Sequence, residues 1–311
     1  MSTIAKTKTN KAVKPKKKKT AAYLAKQNKV AYFFAAPYFI LFFVFTVLPV
    51  LVAVVLSFTY FNMLEWPTFV GIDNYINLIF NDDLFITAVK NTFVYAVCVG
   101  PVGYMLAFLV AWFINEITPK IRAIIILLFY APAISGNAAF IWTLLFSSDS
   151  YGYLNGIFMY LGFIDEPITW LENTTYIMPV VIIVALWGSL GTSFLSFVAG
   201  LQGCDRSLYE AAAVDGIKNR WQELWYVTLP SMKPQLMFGA VLTISGALGV
   251  GASLAGNPSV EYAAYFISMH MGSYASERYE MGYACAIATM MFLIMIICNQ
   301  LFRKILNKIG S

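Results

Sequence analysis

Apolar positions along the chain fall into long uninterrupted runs, with the polar residues gathered between them. Six stretches hold no Asp, Glu, Lys, Arg or His: Val30–Met63, Asn91–Asn115, Ala123–Ser148, Asn173–Cys204, Pro234–Val260 and Met281–Phe302. Each is longer than the ~20 residues a helix needs to cross a bilayer. Barrel strands alternate apolar and polar residues, and these runs do not. The pattern predicts an all-α, polytopic membrane protein with six transmembrane helices. Ser150–Ile164 is also uncharged but too short to span, and with Gly152, Gly156 and Gly162 it reads as a loop or an interfacial segment.

Composition agrees: the chain is 59% hydrophobic and 12% charged, against roughly 25% charged in a soluble domain. The first apolar run far exceeds the ~7–15-residue core of a cleaved signal, so it reads as an anchor that stays. Placing the N-terminus in the cytoplasm puts 19 of the 21 Lys and Arg on that side and leaves Lys90 and Arg278 opposite. Both termini are therefore expected in the cytoplasm. Ten of those lysines lie in residues 1–29. This stretch reads as a basic tail whose "KPKKKK" sets topology and attracts anionic membrane lipid, in preference to nucleic acid. Four cysteines, three of them within apolar runs, and a single histidine suggest neither a disulfide framework nor a metal site.

Local breakers refine the picture. Pro37 and Pro49 are expected to bend the first helix and "GPVG" (Gly100–Gly103) the second. Pro119 suits the start of the third helix, which Pro132 and Gly136 interrupt. The fifth run carries Gly239, Gly246, Gly249, Gly251 and Gly256. Such glycines either let helices approach closely or line a pathway. No charged group sits at the centre of any run, which disfavours a proton-coupled carrier. Thr243, Ser245 and Ser253 suit a neutral hydroxylated solute, or simply bond back to their own helix. The chain has no GxxxxGK[ST] phosphate loop, no Ser-His-Asp arrangement and no HExxH. Energy for uphill movement would have to enter from a partner.

The polar stretch "YEAAAVDGIKNRWQELWYVTLP" (Tyr209–Pro230) lies between two apolar runs. Ser207 and Glu210 have the S-x-x-E spacing of a capping box, and Ala211–Ala213 favour helix. Asp215-Gly216 then breaks it, Asn219 and Gln222 give a second capping signal, and Pro230 marks the boundary of the next span. A bare connector needs only about 2–8 residues. A helix-turn-helix knob carrying Trp221 and Trp225 reads instead as a docking element.

These residues resemble the signature of the membrane subunits of binding-protein-dependent ABC importers, written EAA, then Gly, then an aliphatic residue shortly before Leu-Pro. Here it reads Glu210-Ala211-Ala212, Gly216 and Val227-Thr228-Leu229-Pro230. Ten residues separate Gly216 from Val227 where the usual pattern has nine, so the second short helix is expected to be longer or rotated. Phe69–Thr92, Tyr151–Asn155 and Gly282–Phe292 resemble carbohydrate permeases of the maltose-permease kind. The resemblance implies a type I importer transmembrane domain over about residues 30–305, with a coupling loop over about 199–234 and a short cytoplasmic tail at 306–311, in the bacterial cytoplasmic membrane. It also implies a second, related permease, two copies of a cytoplasmic ATP-binding subunit and an extracytoplasmic solute-binding protein that delivers a sugar or oligosaccharide. The chain would then be no enzyme and hold no cofactor, ATP being bound by the partner. Coupling would fall on Glu210, Ala211, Ala212, Gly216, Leu229 and Pro230. The sugar path would involve Thr243, Ser245, Gly246, Gly249 and Ser253. An importer for a polyamine or phosphonate, a self-sufficient secondary transporter and an intramembrane enzyme stand as alternatives, the last disfavoured for want of paired titratable groups in the runs.

Overall fold

A computed structural model describes residues 29–134, 138–248 and 259–309. The chain divides into two units, residues 1–52 and 53–311. In the first, α1 (Lys29–Phe42) passes through a π turn (Phe43–Val47) into α2 (Leu48–Leu56), which crosses into the second unit. Pro49 has no N–H for the Phe45 carbonyl. The disturbance expected there appears as the π turn, closed by the Leu48 N–H on the Phe43 carbonyl.

The second unit opens with a minimal antiparallel hairpin, β1 (Thr59–Tyr60) against β2 (Thr68–Phe69), with Thr59 opposite Phe69. After α3 (Asp73–Ile76) and a π turn at Asn77–Asn81 comes α4 (Asp83–Asn115), 33 residues long. It starts well ahead of the charge-free run because Asp82 caps it, accepting the Phe85 N–H at 2.9 Å. The expected kink at Gly100–Gly103 does not divide α4, which runs on through Pro101. Gly100 and Gly103 are buried there, and neighbouring helices support a proline that would break an isolated helix. Arg122 donates to the carbonyls of Asn115 and Ile117 and closes the turn into α5 (Pro119–Ile134), with Pro119 at its first position as expected.

Beyond it, α6 (Ala138–Leu145) resumes; Gly136 lies outside the described residues. The uncharged stretch after it forms a short helix, α7 (Tyr153–Tyr160). α8 (Thr174–Gly188) and α9 (Thr192–Gln202) make one apolar length with a break between them. α10 (Arg206–Val214), α11 (Arg220–Glu223), a π turn (Leu224–Thr228) and α12 (Leu229–Ser231) form the polar loop. α13 (Lys233–Leu248), a 3₁₀ turn (Val260–Tyr262), α14 (Ile267–Gly272), a π turn (Ser273–Glu277) and α15 (Met281–Ile309) complete the chain.

Among the described residues four lengths are long and apolar enough to cross a membrane: Tyr32–Leu56, Asp83–Asn115, Thr174–Gln202 and Met281–Leu301. The third and fifth predicted spans contain α5 with α6, and α13, and each runs into residues that are not described.

α4 is the axis of the second unit and packs against α8, α9 and α13. Toward its start the core gathers Phe85, Tyr95, Ile177, Phe266 and Ile287. Toward its end it gathers Phe108, Ala111, Phe194, Phe197 and Met232. Phe197 meets Tyr104 edge-on at 5.3 Å and Phe108 at 5.7 Å, and its ring fills the space a side chain would need at Gly239. In lipid such contact is favoured by dispersion and close approach of helices, not by release of water. Gly239 is therefore a packing glycine.

Candidate functional site

The loop after α9 is built from local signals. Asp205, in extended conformation, caps α10 by accepting the Ser207 N–H at 2.9 Å, and that bond holds its carboxyl below the usual carboxylate range. This corrects the expected capping box. Ser207 lies inside the helix, because the carboxylate two residues earlier already takes the first free N–H. Glu210 does not reach back; it pairs with Arg206 at 3.6 Å, an exposed contact that contributes little.

α10 presents two faces. Ala212 is buried and Tyr209 half-buried, its hydroxyl 3.0 Å from the Thr228 hydroxyl, and burial raises the Tyr209 phenol above its ordinary value. Leu208, Ala211 and Val214 face outward, Val214 being 88% exposed. The helix closes in a Schellman motif: the Gly216 N–H bonds the Ala213 carbonyl at 3.3 Å and the Ile217 N–H the Ala212 carbonyl at 3.0 Å. Gly216 has φ +95°, which the motif requires and L side chains resist.

The second half behaves as its sequence predicts. Asn219 caps α11 by accepting the Gln222 N–H at 2.9 Å, and the Gln222 amide oxygen accepts the Lys218 N–H at 3.2 Å. Arg220 joins Glu223 at 2.8 Å and Glu116, at the end of α4, at 2.7 Å. The Glu223 bond leads in raising its already high pKa. Trp221 packs on Trp112 of α4 at 5.3 Å between ring centres. Leu224, Val227 and Thr228 are buried, Leu229 is half-buried, and Pro230 is exposed at the start of α12. Beneath the loop lies a polar cavity of about 800 Å³ lined by Trp112, Glu116, Arg122, Tyr209 and Arg220 among others. The loop is thus a preformed knob, with Glu210, Ala211 and Gly216 outside and Ala212 within, strapped to the end of α4.

The residues expected on a solute path divide. Thr243 donates to the Gly239 carbonyl at 2.9 Å and meets the Ser193 hydroxyl at 3.0 Å, so it ties α13 to α9. The Ser245 hydroxyl accepts from Asn299 of α15 at 3.3 Å. Gly246 is exposed, and a Cβ there would meet nothing within 4 Å. Gly249 and Ser253 lie outside the described residues.

One cluster escaped sequence reasoning. At the start of α4, the second oxygen of Asp82 accepts from His270 at 2.9 Å, Tyr283 at 2.9 Å and Tyr274 at 3.4 Å, while Tyr265 meets the other His270 nitrogen at 3.3 Å. Burial alone would raise the Asp82 carboxyl, but the Phe85 N–H and His270 outweigh it and hold it below its ordinary value. Burial lowers His270, against the pull of Asp82. The only available signal was the solitary histidine of the chain.

No family model matches the chain. Among curated proteins it is similar to the probable ABC transporter permease protein YesP of Bacillus subtilis, 32% identical over 290 residues that cover 89% of this chain and 90% of that one. The lactose transport system permease protein LacF of Rhizobium radiobacter is 32% identical over 219 residues, 69% of this chain and 71% of that one. The arabinooligosaccharides transport system permease protein AraP of Bacillus subtilis is 28% identical over 284 residues, 88% and 87%. Among solved structures, a chain of a bacterial ABC transporter that imports the acidic polysaccharide alginate superposes with a TM-score of 0.76 at 23% identity, over 92% of this chain and 98% of that one. The same fold recurs, with a TM-score of 0.76 and 23% identity over 94% and 98%, in an alginate transporter complexed with a pentasaccharide-bound periplasmic protein.

Proposed function

Because the chain belongs to the membrane-spanning permease subunits of ABC transporters, we propose that it forms half of the translocation pathway of an ATP-driven importer for a sugar or oligosaccharide. It is a multi-pass protein of the bacterial cytoplasmic membrane and a transport component, not an enzyme. The observation that carries the substrate class is the similarity to permeases named for arabinooligosaccharides, over 88% of this chain, and for lactose, over 69% of it. An uncharged fifth apolar run with hydroxyl side chains agrees with a neutral cargo.

In this reading the chain crosses the membrane six times with both termini in the cytoplasm. Its companions are a related permease, two copies of a cytoplasmic ATPase that binds the ATP, and an extracytoplasmic solute-binding protein. The knob is the coupling element, and α10 seats its outward Leu208, Ala211 and Val214 in a cleft of the ATPase. Closure of the ATPase pair pulls on α10. The Tyr209–Thr228 hydroxyl contact, the Arg220–Glu116 ion pair and the tilted Trp221–Trp112 ring contact pass that pull to α4 and α13. Gly246, facing open space in α13, is the described position best placed to line the path, while Thr243 and Ser245 hold the wall together.

The test is a mild-detergent pull-down from native membranes, followed by uptake of labelled oligosaccharides in vesicles. Recovery of an ATPase, a second permease and a binding protein, with ATP-dependent sugar uptake, is the expected result. Recovery of the chain alone, still transporting without ATP, would sink the proposal.

A further inference from the structure

The short helix α7 has no role in the coupling knob or the pathway, yet it is rigidly held. Asn155, fully buried, donates to the carbonyls of Ser147 at 3.1 Å, Asp149 at 3.2 Å and Ile168 at 3.0 Å. Its amide oxygen accepts the Ile168 N–H at 3.2 Å and the Trp170 indole N–H at 2.9 Å. One side chain thus pins both flanks of the helix and fixes which face turns outward.

That outward face is large and greasy. Tyr153, Ile157 and Tyr160, spaced at helical intervals, are 66%, 52% and 91% exposed, and Phe163 follows on the same segment at 74%. No charged residue occurs between Ser150 and Ile164. We infer that this stripe lies in the headgroup–acyl boundary of the bilayer, at the end of the α8–α9 span remote from the coupling knob, so that α7 rests in the membrane plane as a lipid-bound strut.

Three observations favour lipid over a protein partner as the occupant. The stripe continues the apolar surface of α6, with which α7 is in contact and whose Phe140 and Leu144 also face outward. Its tyrosines combine an apolar ring with a polar tip, the residue type enriched where hydrocarbon meets water. The charges nearest in sequence, Asp149 before the stripe and Asp165 and Glu166 after it, all lie beyond its ends, so the stripe itself offers a protein partner no charged contact. The inference rests on the membrane location of the chain and not on what it transports.

The photo-reactive residue benzoylphenylalanine, placed singly at Tyr153, Ile157 or Tyr160 of the full-length chain in its native cells, tests this. After irradiation, adducts are identified by mass, with Phe140 as a lipid-facing control and Asp165 as a water-facing one. Phospholipid adducts at all three positions, near the Phe140 yield and at least about tenfold above Asp165, are expected of a helix whose apolar face lies in the interface. Adducts to the solute-binding protein or to another permease would overturn it. So would no adduct at these positions while Phe140 still captures lipid. The substituted positions are on the surface, so the fold is not at stake, and accumulation of each variant in the membrane is checked by blot.

Discussion

Gly216 offers a clean separation of backbone from side-chain effects in the loop after α9. An added Cβ would touch nothing within 4 Å, yet the residue holds φ +95°. Replacing it by alanine therefore adds no collision within the chain and only forces an L residue into a left-handed conformation, at roughly 1–2 kcal/mol. That penalty shifts the balance between closed and opened loop by a factor of about 5–30. The opening is local, because the two bonds at stake run from residues 216 and 217 to the carbonyls of Ala213 and Ala212. In Gly216→Ala, amide hydrogen exchange at 216 and 217 should speed up by that factor while the spans keep their protection. In the assembled transporter, uptake per ATP hydrolysed should fall. Asparagine enters the left-handed region more readily than alanine, so Gly216→Asn should recover most of both losses. Wild-type exchange in the alanine variant would refute the reasoning. Equal damage by alanine and asparagine would also refute it, pointing instead to side-chain bulk against the ATPase.

Other expectations follow from the same contacts. Gly239→Leu forces a side chain into the Phe197 ring and should lower the melting temperature in detergent, as overpacking by ~1–3 kcal/mol does. Gly246→Trp enters open space and should leave melting unchanged while blocking uptake; normal uptake would remove this position from the path. Glu210→Lys gives up only an exposed pair with Arg206, so thermal stability should hold while hydrolysis and uptake separate; full coupling in this variant would argue against α10 as the docking helix. In the Asp82–His270 cluster both groups titrate below their ordinary values. The neutral histidine's contribution is complete above its ordinary value of 6.5 and is lost as pH falls below it toward the lowered native value; the carboxylate's contribution is lost at still lower pH. Thermal melts should therefore drop as pH falls below the histidine's ordinary 6.5, and His270→Gln should flatten that drop; an unchanged slope in the variant would exclude His270 as its source.

Four of the predicted spans recur as long apolar helices, because the bilayer demands uninterrupted apolar length, and the helix-turn-helix of the loop was legible because caps and breakers are local. Asn219 and Gly216 act through neighbours two or three residues away, so their spacing alone predicts the turn. Ser207 misled because two side chains competed for one set of free N–H groups, and geometry chose the carboxylate of Asp205. Asp82 and Asn155 were invisible for a different reason. Asp82 looks like one more acid in a polar loop until His270 and Tyr283 arrive from far along the chain. Asn155 sits among apolar residues as though exposed, and only the fold brings Ile168 and Trp170 to it. Polar hubs whose partners lie across the fold leave no periodic trace in sequence.

The extra residue between Gly216 and Val227 lies in a segment that widens locally. Each residue added to an α-helix turns everything after it by about 100°. A simple insertion before Leu229-Pro230 would thus present a different face of the second short helix to α4 and to the membrane, the rotation anticipated from spacing alone. The chain instead widens. Leu224–Thr228 forms a π turn in which the Leu229 N–H bonds the Leu224 carbonyl, a ring that holds one residue more than an α turn. Leu224, Val227 and Thr228 stay buried, Trp225 and Tyr226 bulge outward, and Thr228 still meets Tyr209. Trp225 and Tyr226 thus take the exposed side of the widened turn, while Tyr209 keeps Thr228 and the second short helix keeps Glu116 and Trp112 of the α4 end.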